Sequence, residues 1–175
     1  GTLQEIKDSG AITVGHRESS VPFSYLDAQQ KPVGYAMDLC AKVVDAVKSE
    51  LKMPNLKVNY QAVTSQNRIP LMQNGTIDLE CGSTTNSIAR QQQVGFSVAY
   101  FITSVRMGVR KDSGIKDIGD LDGKPVVTTT GTTSDQLIKQ NEKGKTIDVR
   151  NIYGKDHAGS FLMVDYLRGS RKRRR

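Results

Sequence analysis

The chain has 175 residues, of which 37% are hydrophobic and 25% are charged, a balance typical of a protein that folds around an apolar core. No apolar run approaches the roughly 20 residues that a membrane-spanning helix needs. The first residues lack the basic start and apolar stretch of a secretory signal, as the mature form of an exported protein would.

The formal net charge of +7 is concentrated at one end of the chain. Residues 168–175 contain six basic side chains and no acid, and without those six the formal charge is +1. A strongly basic body would favour an anionic macromolecule as partner, but here only the tail is basic. We expect this tail to be disordered or non-native, and no nucleic-acid partner is predicted beyond non-specific contacts with it.

The two cysteines, Cys40 and Cys81, have no second thiol or histidine close enough in sequence for a zinc motif. Both lie among apolar neighbours, which favours two small buried thiols. A disulfide between them is the alternative, if the protein works in an oxidising compartment.

Helical and extended patterns alternate over the first 110 residues. A helix is predicted over 3–9 and a strand over 11–15, followed by a polar loop or hairpin over 22–34. The elements predicted after this loop are a helix over 36–51, a strand over 56–63, a helix over 68–74, a strand over 77–81 and an extended stretch over 101–109. The apolar stripe of the first of these helices comprises Leu39, Cys40, Val43, Val44, Val47 and Leu51. This alternation predicts an α/β lobe with a parallel sheet over 1–110.

The pattern restarts after a polar segment, 111–124, that is predicted to be a hinge. A strand over 125–129, a helix over 134–141 and a strand over 147–152 follow, and 159–167 is predicted to be helical. Two strands are too few to cover both faces of a parallel sheet. We therefore expect a partial second lobe over 111–167, with self-association into a homo-oligomer through its uncovered apolar surface.

Polar clusters follow the predicted strands, at the position where open α/β sheets bind ligands. They are 16–20, 64–68, 82–86 with Arg90 a turn later, and 129–134. Arg17, Arg68 and Arg90 can each hold a carboxylate with two hydrogen bonds, and three arginines are more than one carboxylate needs. The hydroxyl groups expected to assist are those of Ser65, Ser83, Thr85, Thr132 and Thr133, with Ser134 as the cap of the helix that follows. The clusters predict a small ligand with two carboxylates.

Each cluster also has a structural alternative. Serines and threonines after strands form turns and helix caps, and arginines on short helices are usually solvated. His16 can orient its own loop, and His157 can either donate to an anion or be solvated. Motifs of enzymes are missing: the phosphate-binding loop, the nucleophile elbow, the zinc pair and a carboxylate pair beside a nucleophile. We expect neither enzymatic activity nor a cofactor.

Four motifs together resemble one family. They are Gly15-His16-Arg17-Glu18-Ser19, Thr64-Ser65-Gln66-Asn67-Arg68-Ile69-Pro70-Leu71, Leu79-Glu80-Cys81-Gly82-Ser83-Thr84-Thr85-Asn86 and Gly131-Thr132-Thr133-Ser134. From about Leu3 to about Phe161 the chain resembles the periplasmic glutamate/aspartate-binding proteins of bacterial ABC importers. The resemblance implies a periplasmic-binding-protein-like fold, with one complete lobe plus the beginning of a second. It also implies that two hinged lobes close on L-glutamate or L-aspartate for delivery to a membrane permease, and a periplasmic location.

The resemblance also implies a role for each site residue. Arg90, Thr85 and Thr133 would bind the α-carboxylate, and Ser83 would lie near the α-amino group. The side-chain carboxylate would be held by Arg17, Ser65, Arg68 and His157, and Thr132 would assist from the second lobe.

The sequence departs from the family after Phe161, where relatives continue through the rest of the second lobe. No match for the family's acidic partner of the α-amino group is found. The competing hypothesis is a truncated lobe that self-associates or binds polyanions without transport activity.

Overall fold

The computed structural model describes residues 1–142, 147–152 and 161–164. The chain divides into two compact units, Gly1–Ala99 and Tyr100–Arg175. The predicted lobe boundary at 110/111 lies further along the chain than this division. The predicted basic tail over 168–175 lies outside the described residues.

The first unit is an α/β structure built on a parallel sheet, as predicted. Its helices are α1 (Thr2–Ser9), α2 (Tyr35–Glu50), α3 (Arg68–Gln73) and α4 (Ile88–Gln91). Its strands are β1 (Ala11–His16), β2 (Ser19–Ser20), β3 (Ser24–Leu26), β4 (Pro32–Val33), β5 (Lys57–Ala62) and β6 (Leu79–Cys81). Strand β1 lies between β5 and β6 and is parallel to both, whereas β2, β3 and β4 form a small antiparallel sheet. Among the described helices, none has the length and apolarity to cross a membrane.

Helix α2 forms because its apolar side chains fall on one face, and that face packs on the sheet. The core of this unit consists of Ile6, Ile12, Val14, Met37, Val44, Leu56 and Cys81. The face of α2 that meets it runs from Met37 through Cys40, Val44 and Val47 to Leu51, at spacings of three and four. The predicted stripe was wrong at Val43, which is 46% exposed; Met37, which the prediction left out, lies in the core.

Cys40 and Cys81 form a disulfide, so the expectation of two free thiols is wrong. Helix α2 packs over β6 and brings the two Cα atoms to 6.2 Å, within the range that a disulfide spans. The cysteines are 41 positions apart in the sequence, and this separation gives no indication of the packing, which depends on how the helix lies on the sheet. The bond attaches α2 to the last residue of β6.

The second unit contains a four-stranded mixed sheet. Its elements are a 3-10 helix (Ile118–Leu121), helix α5 (Thr133–Asn141) and strands β7 (Arg106–Gly108), β8 (Pro125–Thr129), β9 (Asp148–Ile152) and β10 (Phe161–Val164). The strand order is β7-β10-β8-β9, with β10 parallel to β7 and antiparallel to β8, and with β8 parallel to β9. Ile115, Leu121, Val126 and Ile138 form its core.

Two expectations about this unit were wrong. The segment predicted to be helical over 159–167 contains β10, because four consecutive apolar residues, Phe161–Val164, are typical of a strand with neighbours on both sides. The expectation of only two strands fails for the same reason. It also fails because β7, assigned by sequence to the first lobe, pairs with β10.

We predict that the disulfide stabilises the first unit substantially. Closing a loop of this length should raise the free energy of unfolding by about 4 kcal/mol, because the crosslink restricts the unfolded chain. Reductant should therefore lower the melting temperature of the wild type to that of the Cys40→Ala/Cys81→Ala double variant. The same reductant should leave the double variant unchanged. A wild-type melting temperature that is unchanged after full reduction would contradict this role.

Candidate functional site

The three parallel strands of the first unit end at one level. His16, the last residue of β1, pairs with Ala62 at the end of β5 and with Cys81 at the end of β6. The polar segments that follow, beginning at Arg17, Thr64 and Gly82, therefore leave the sheet from the same edge. This is the edge at which ligands bind to open α/β sheets, as the sequence predicted.

Three arginines of the first unit are buried. Arg17 is 2% exposed, Arg68 is 3% exposed and Arg90 is 7% exposed, so the alternative that they are solvated does not hold. A guanidinium group is rarely buried, because it loses its hydration and must recover that free energy from nearby acceptors or negative charge. Three such groups in one unit indicate a region built to hold negative charge.

Backbone contacts fix the start of the Arg17 segment. The N–H group of Arg17 donates to Ser24 Oγ at 2.9 Å, and Ser24 lies fully buried on β3. On the other side of the same residue, His16 Nδ1 lies 3.0 Å from the Arg17 carbonyl oxygen. His16 is itself buried and packs edge-on against Tyr60, which fits the predicted role of orienting its own loop.

A reciprocal pair of hydrogen bonds shapes the segment after β5. The Thr64 N–H group donates to Asn67 Oδ1 at 2.7 Å, and the Asn67 N–H group donates to Thr64 Oγ1 at 3.1 Å. The backbone N–H of Arg68 donates to the Thr64 carbonyl at 3.2 Å. These bonds close a turn that places Ser65, which is buried, before the first residue of α3, Arg68.

Arg90 is held by the loop that precedes it. Ser87 Oγ accepts from the Arg90 N–H at 3.4 Å and so caps α4. Arg90 Nη1 donates to the Thr85 carbonyl at 3.0 Å. Burial lowers the pKa of Arg90, and the negative charge of Glu80 opposes that change.

The hydroxyl groups of the β6 loop differ in exposure. Ser83 is half-buried, and its Oγ donates to Ser20 Oγ at 3.4 Å. Thr85 is exposed, and its carbonyl oxygen is the acceptor for Arg90. The structure thus brings Ser83, Thr85 and Arg90 together on one short segment, while their contacts with a ligand stay a prediction.

Gly82 occupies a gap between two charged side chains. A Cβ atom at this position would lie 2.5 Å from Glu80 Oε1 and 2.9 Å from Arg17 Cγ. Both distances are shorter than real Cβ contacts. The absence of a side chain at Gly82 therefore lets the carboxylate of Glu80 and the stem of Arg17 approach the same point.

Sequence reasoning missed Glu80. Glu80 alternates with Leu79 and Cys81 along the predicted strand over 77–81, and the sequence predicted no role for it. Glu80 Oε1 is instead buried and has no hydrogen-bond partner among the described residues. The signal in the sequence was a carboxylate two residues before the Gly82-Ser83-Thr84-Thr85-Asn86 motif, and strand alternation gave no reason to expect it to be buried.

In the second unit, Thr132 caps α5, so the predicted cap at Ser134 is wrong. Thr132 Oγ1 accepts from the Asp135 N–H at 3.1 Å and donates to the Thr129 carbonyl at 2.7 Å. Thr132 precedes the first helical residue, Thr133, which places its hydroxyl where a cap must be. Gly131, with φ of 79°, makes the turn before it. Ser134 is two residues past the cap position, inside the helix, and is buried.

The remaining site residue, His157, lies outside the described residues. Its predicted contact with a side-chain carboxylate therefore stays a prediction, as do the ligand contacts of Thr132 and Thr133.

The fold agrees with a comparison of the sequence to known families. Residues 12–166 match the bacterial extracellular solute-binding proteins, family 3. The chain belongs to this family. The match covers most of the chain and includes every described residue of the predicted site.

Individual relatives are similar over nearly the whole chain. The L-glutamate/L-aspartate-binding protein of Pseudomonas aeruginosa is 55% identical over 166 residues, which are 94% of this chain and 55% of that protein. A glutamate/aspartate import solute-binding protein of Salmonella typhimurium is 52% identical over 164 residues, 94% of this chain and 54% of that protein. The chain thus spans about half the length of these relatives.

Solved structures share the fold. A mutant of ArgBP from T. maritima superposes with a TM-score of 0.75 at 24% identity, covering 99% of this chain and 77% of that one. A solute receptor for L-cysteine of Neisseria gonorrhoeae gives a TM-score of 0.73 at 21% identity, covering 98% and 65%. These similarities confirm the periplasmic-binding-protein-like α/β fold.

We predict that Gly82→Ala destabilises the first unit. The added methyl group must displace the Glu80 carboxylate and the Arg17 stem, and such overpacking should lower the free energy of unfolding by about 1 to 3 kcal/mol. Gly95→Ala is the matched control, because a Cβ atom at Gly95 meets nothing within 4 Å. Urea unfolding of the two variants measures the difference, and equal midpoints would show that the gap at Gly82 is not needed.

Proposed function

We propose that this protein captures L-glutamate or L-aspartate outside the cytoplasm and presents it to the membrane permease of an ABC importer. The observation that carries the proposal is the set of three buried arginines at the ligand-binding edge of the first unit. The names of its relatives from Pseudomonas aeruginosa and Salmonella typhimurium support the choice of ligand.

The chemistry of the arginines supports a ligand with two carboxylates. Each guanidinium presents two parallel N–H donors that match one carboxylate. Arg90 lies on α4, directly after the β6 loop that carries Ser83 and Thr85, and we assign the α-carboxylate to it. Arg17 and Arg68, with Ser65, follow the other two strands of the sheet, and we assign the side-chain carboxylate to them. Thr132, Thr133 and His157 are expected to complete the site.

The disulfide supports a periplasmic location. The Cys40–Cys81 bond is of a kind that persists in oxidising compartments. The family is described as extracellular. The proposed activity is binding and release, with no chemical change to the ligand.

One argument for the competing hypothesis of a self-associating or polyanion-binding module no longer holds. That argument was a second lobe with only two strands, and the second unit has a four-stranded sheet instead. Homo-oligomer formation itself stays a prediction, testable by ultracentrifugation at several salt concentrations.

Replacement of Arg90 tests the proposed ligand binding. Calorimetric titration of the chain with L-glutamate should show saturable binding, and Arg90→Ala should weaken it by about 2 to 5 kcal/mol, because a charge-assisted pair of hydrogen bonds is lost. Arg110→Ala, which removes an exposed arginine paired with Asp112, is the control and should bind as the wild type does. Absence of binding by the wild type would refute the proposed function.

Replacement of Arg17 and Arg68 tests the proposed choice of ligand. Replacing both Arg17 and Arg68 by Gln should weaken glutamate and aspartate far more than glutamine, because the neutral amide of glutamine needs no cation. Circular dichroism should first establish that the double variant is folded. Equal losses for all three amino acids would show that these arginines do not recognise the side-chain carboxylate.

A further inference from the structure

The carboxylate of Glu80 lies near two of the three buried arginines, Arg17 and Arg90. Glu80 is on β6, opposite Gly15 of β1, and its Oε1 atom is buried without a hydrogen-bond partner among the described residues. This oxygen and Arg17 Cγ both lie within 3 Å of the point where a Cβ of Gly82 would be. Its negative charge also acts on Arg90. A buried carboxylate oxygen without a donor is costly, so its presence calls for an explanation.

Contacts that do not involve Glu80 also anchor two of these arginines. Arg90 is anchored by its bonds to the Thr85 carbonyl and to Ser87. The backbone of Arg17 is anchored by Ser24. These anchors leave the charge of Glu80 as a contribution that acts on the arginines without a hydrogen bond to its buried Oε1.

That charge has opposite effects before and after a ligand binds. Without a ligand, a negative charge beside buried guanidinium groups offsets part of their desolvation cost and stabilises the fold. With a dicarboxylic ligand bound, the same charge repels two carboxylates and attracts only one ammonium group. The net interaction between Glu80 and the ligand is therefore unfavourable at the short range and low dielectric of this site.

We propose that Glu80 is the internal counter-ion of the arginine cluster: it stabilises the ligand-free protein and lowers the affinity for anionic amino acids. This inference rests on the proposed function for the identity of the ligand. It makes Glu80 a residue that sets affinity through the arginines and without contacting the ligand. A resident carboxylate of this kind keeps binding weak enough for release, because its repulsion of the ligand's carboxylates offsets part of their attraction to the arginines.

The test is Glu80→Gln, which removes the charge and keeps the shape of the side chain. We expect its melting temperature without ligand to fall by about 2 to 8 °C. We expect its Kd for L-glutamate to fall, that is, binding to tighten, by about threefold to tenfold. Glu80→Asp, which keeps the charge, should stay within about twofold of the wild-type Kd. Glu50→Gln, which removes an exposed charge at the end of α2, should match the wild type in both measurements.

The expected effects of Glu80→Gln, lower stability and tighter glutamate binding, distinguish this role from a purely structural one. If Glu80 only supported the fold, its replacement would lower the protein's stability and its affinity for glutamate together. A Glu80→Gln variant that binds glutamate as well as, or more weakly than, a wild type that does bind it therefore overturns the inference. That result leaves the proposed function intact. If neither wild type nor variant binds glutamate, both proposals fail. A less stable variant with tighter binding supports the inference.

Discussion

The burial of three guanidinium groups at the end of one small parallel sheet is the constraint on which the first unit depends. Each group must be compensated in a region that the fold keeps away from water. The surrounding structure is arranged for this purpose. Serine and threonine hydroxyls cap the turns, Gly82 leaves room for a carboxylate beside Arg17, and the loop before α4 supplies a carbonyl to Arg90.

The fold provides this arrangement through strand ends and one covalent link. Because β1 is parallel to both neighbours, three separate stretches of chain reach the same edge in register. The disulfide attaches the last residue of β6 to α2, immediately before the loop that carries Ser83 and Thr85. A ligand that brings two carboxylates to this edge would meet three buried guanidinium groups, each of which can hold a carboxylate with two hydrogen bonds.

Local patterns predicted most of the fold, and long-range packing explains what they missed. The predicted bounds of α2 and β8 agree closely with the structure, because their periodicity and turn residues are local signals. The strand β10 was taken for a helix, since four apolar residues in a short run have no decisive period. The disulfide and the partly buried Glu80 were missed for a related reason: both depend on which face of β6 meets a neighbour. Arg17, Arg68 and Arg90 were predicted because their motifs follow strands, but their burial was not visible in the sequence.

The central claim is that these three arginines bind two carboxylates. Nitrogen NMR of the arginine side chains, with glutamate and glutamine added in turn, tests it most directly. Saturating glutamate should shift the guanidinium signals of Arg17, Arg68 and Arg90 and leave the exposed Arg110 unchanged, whereas glutamine should shift chiefly that of Arg90. Guanidinium signals of the three buried arginines that stay unchanged at saturating glutamate would contradict the account.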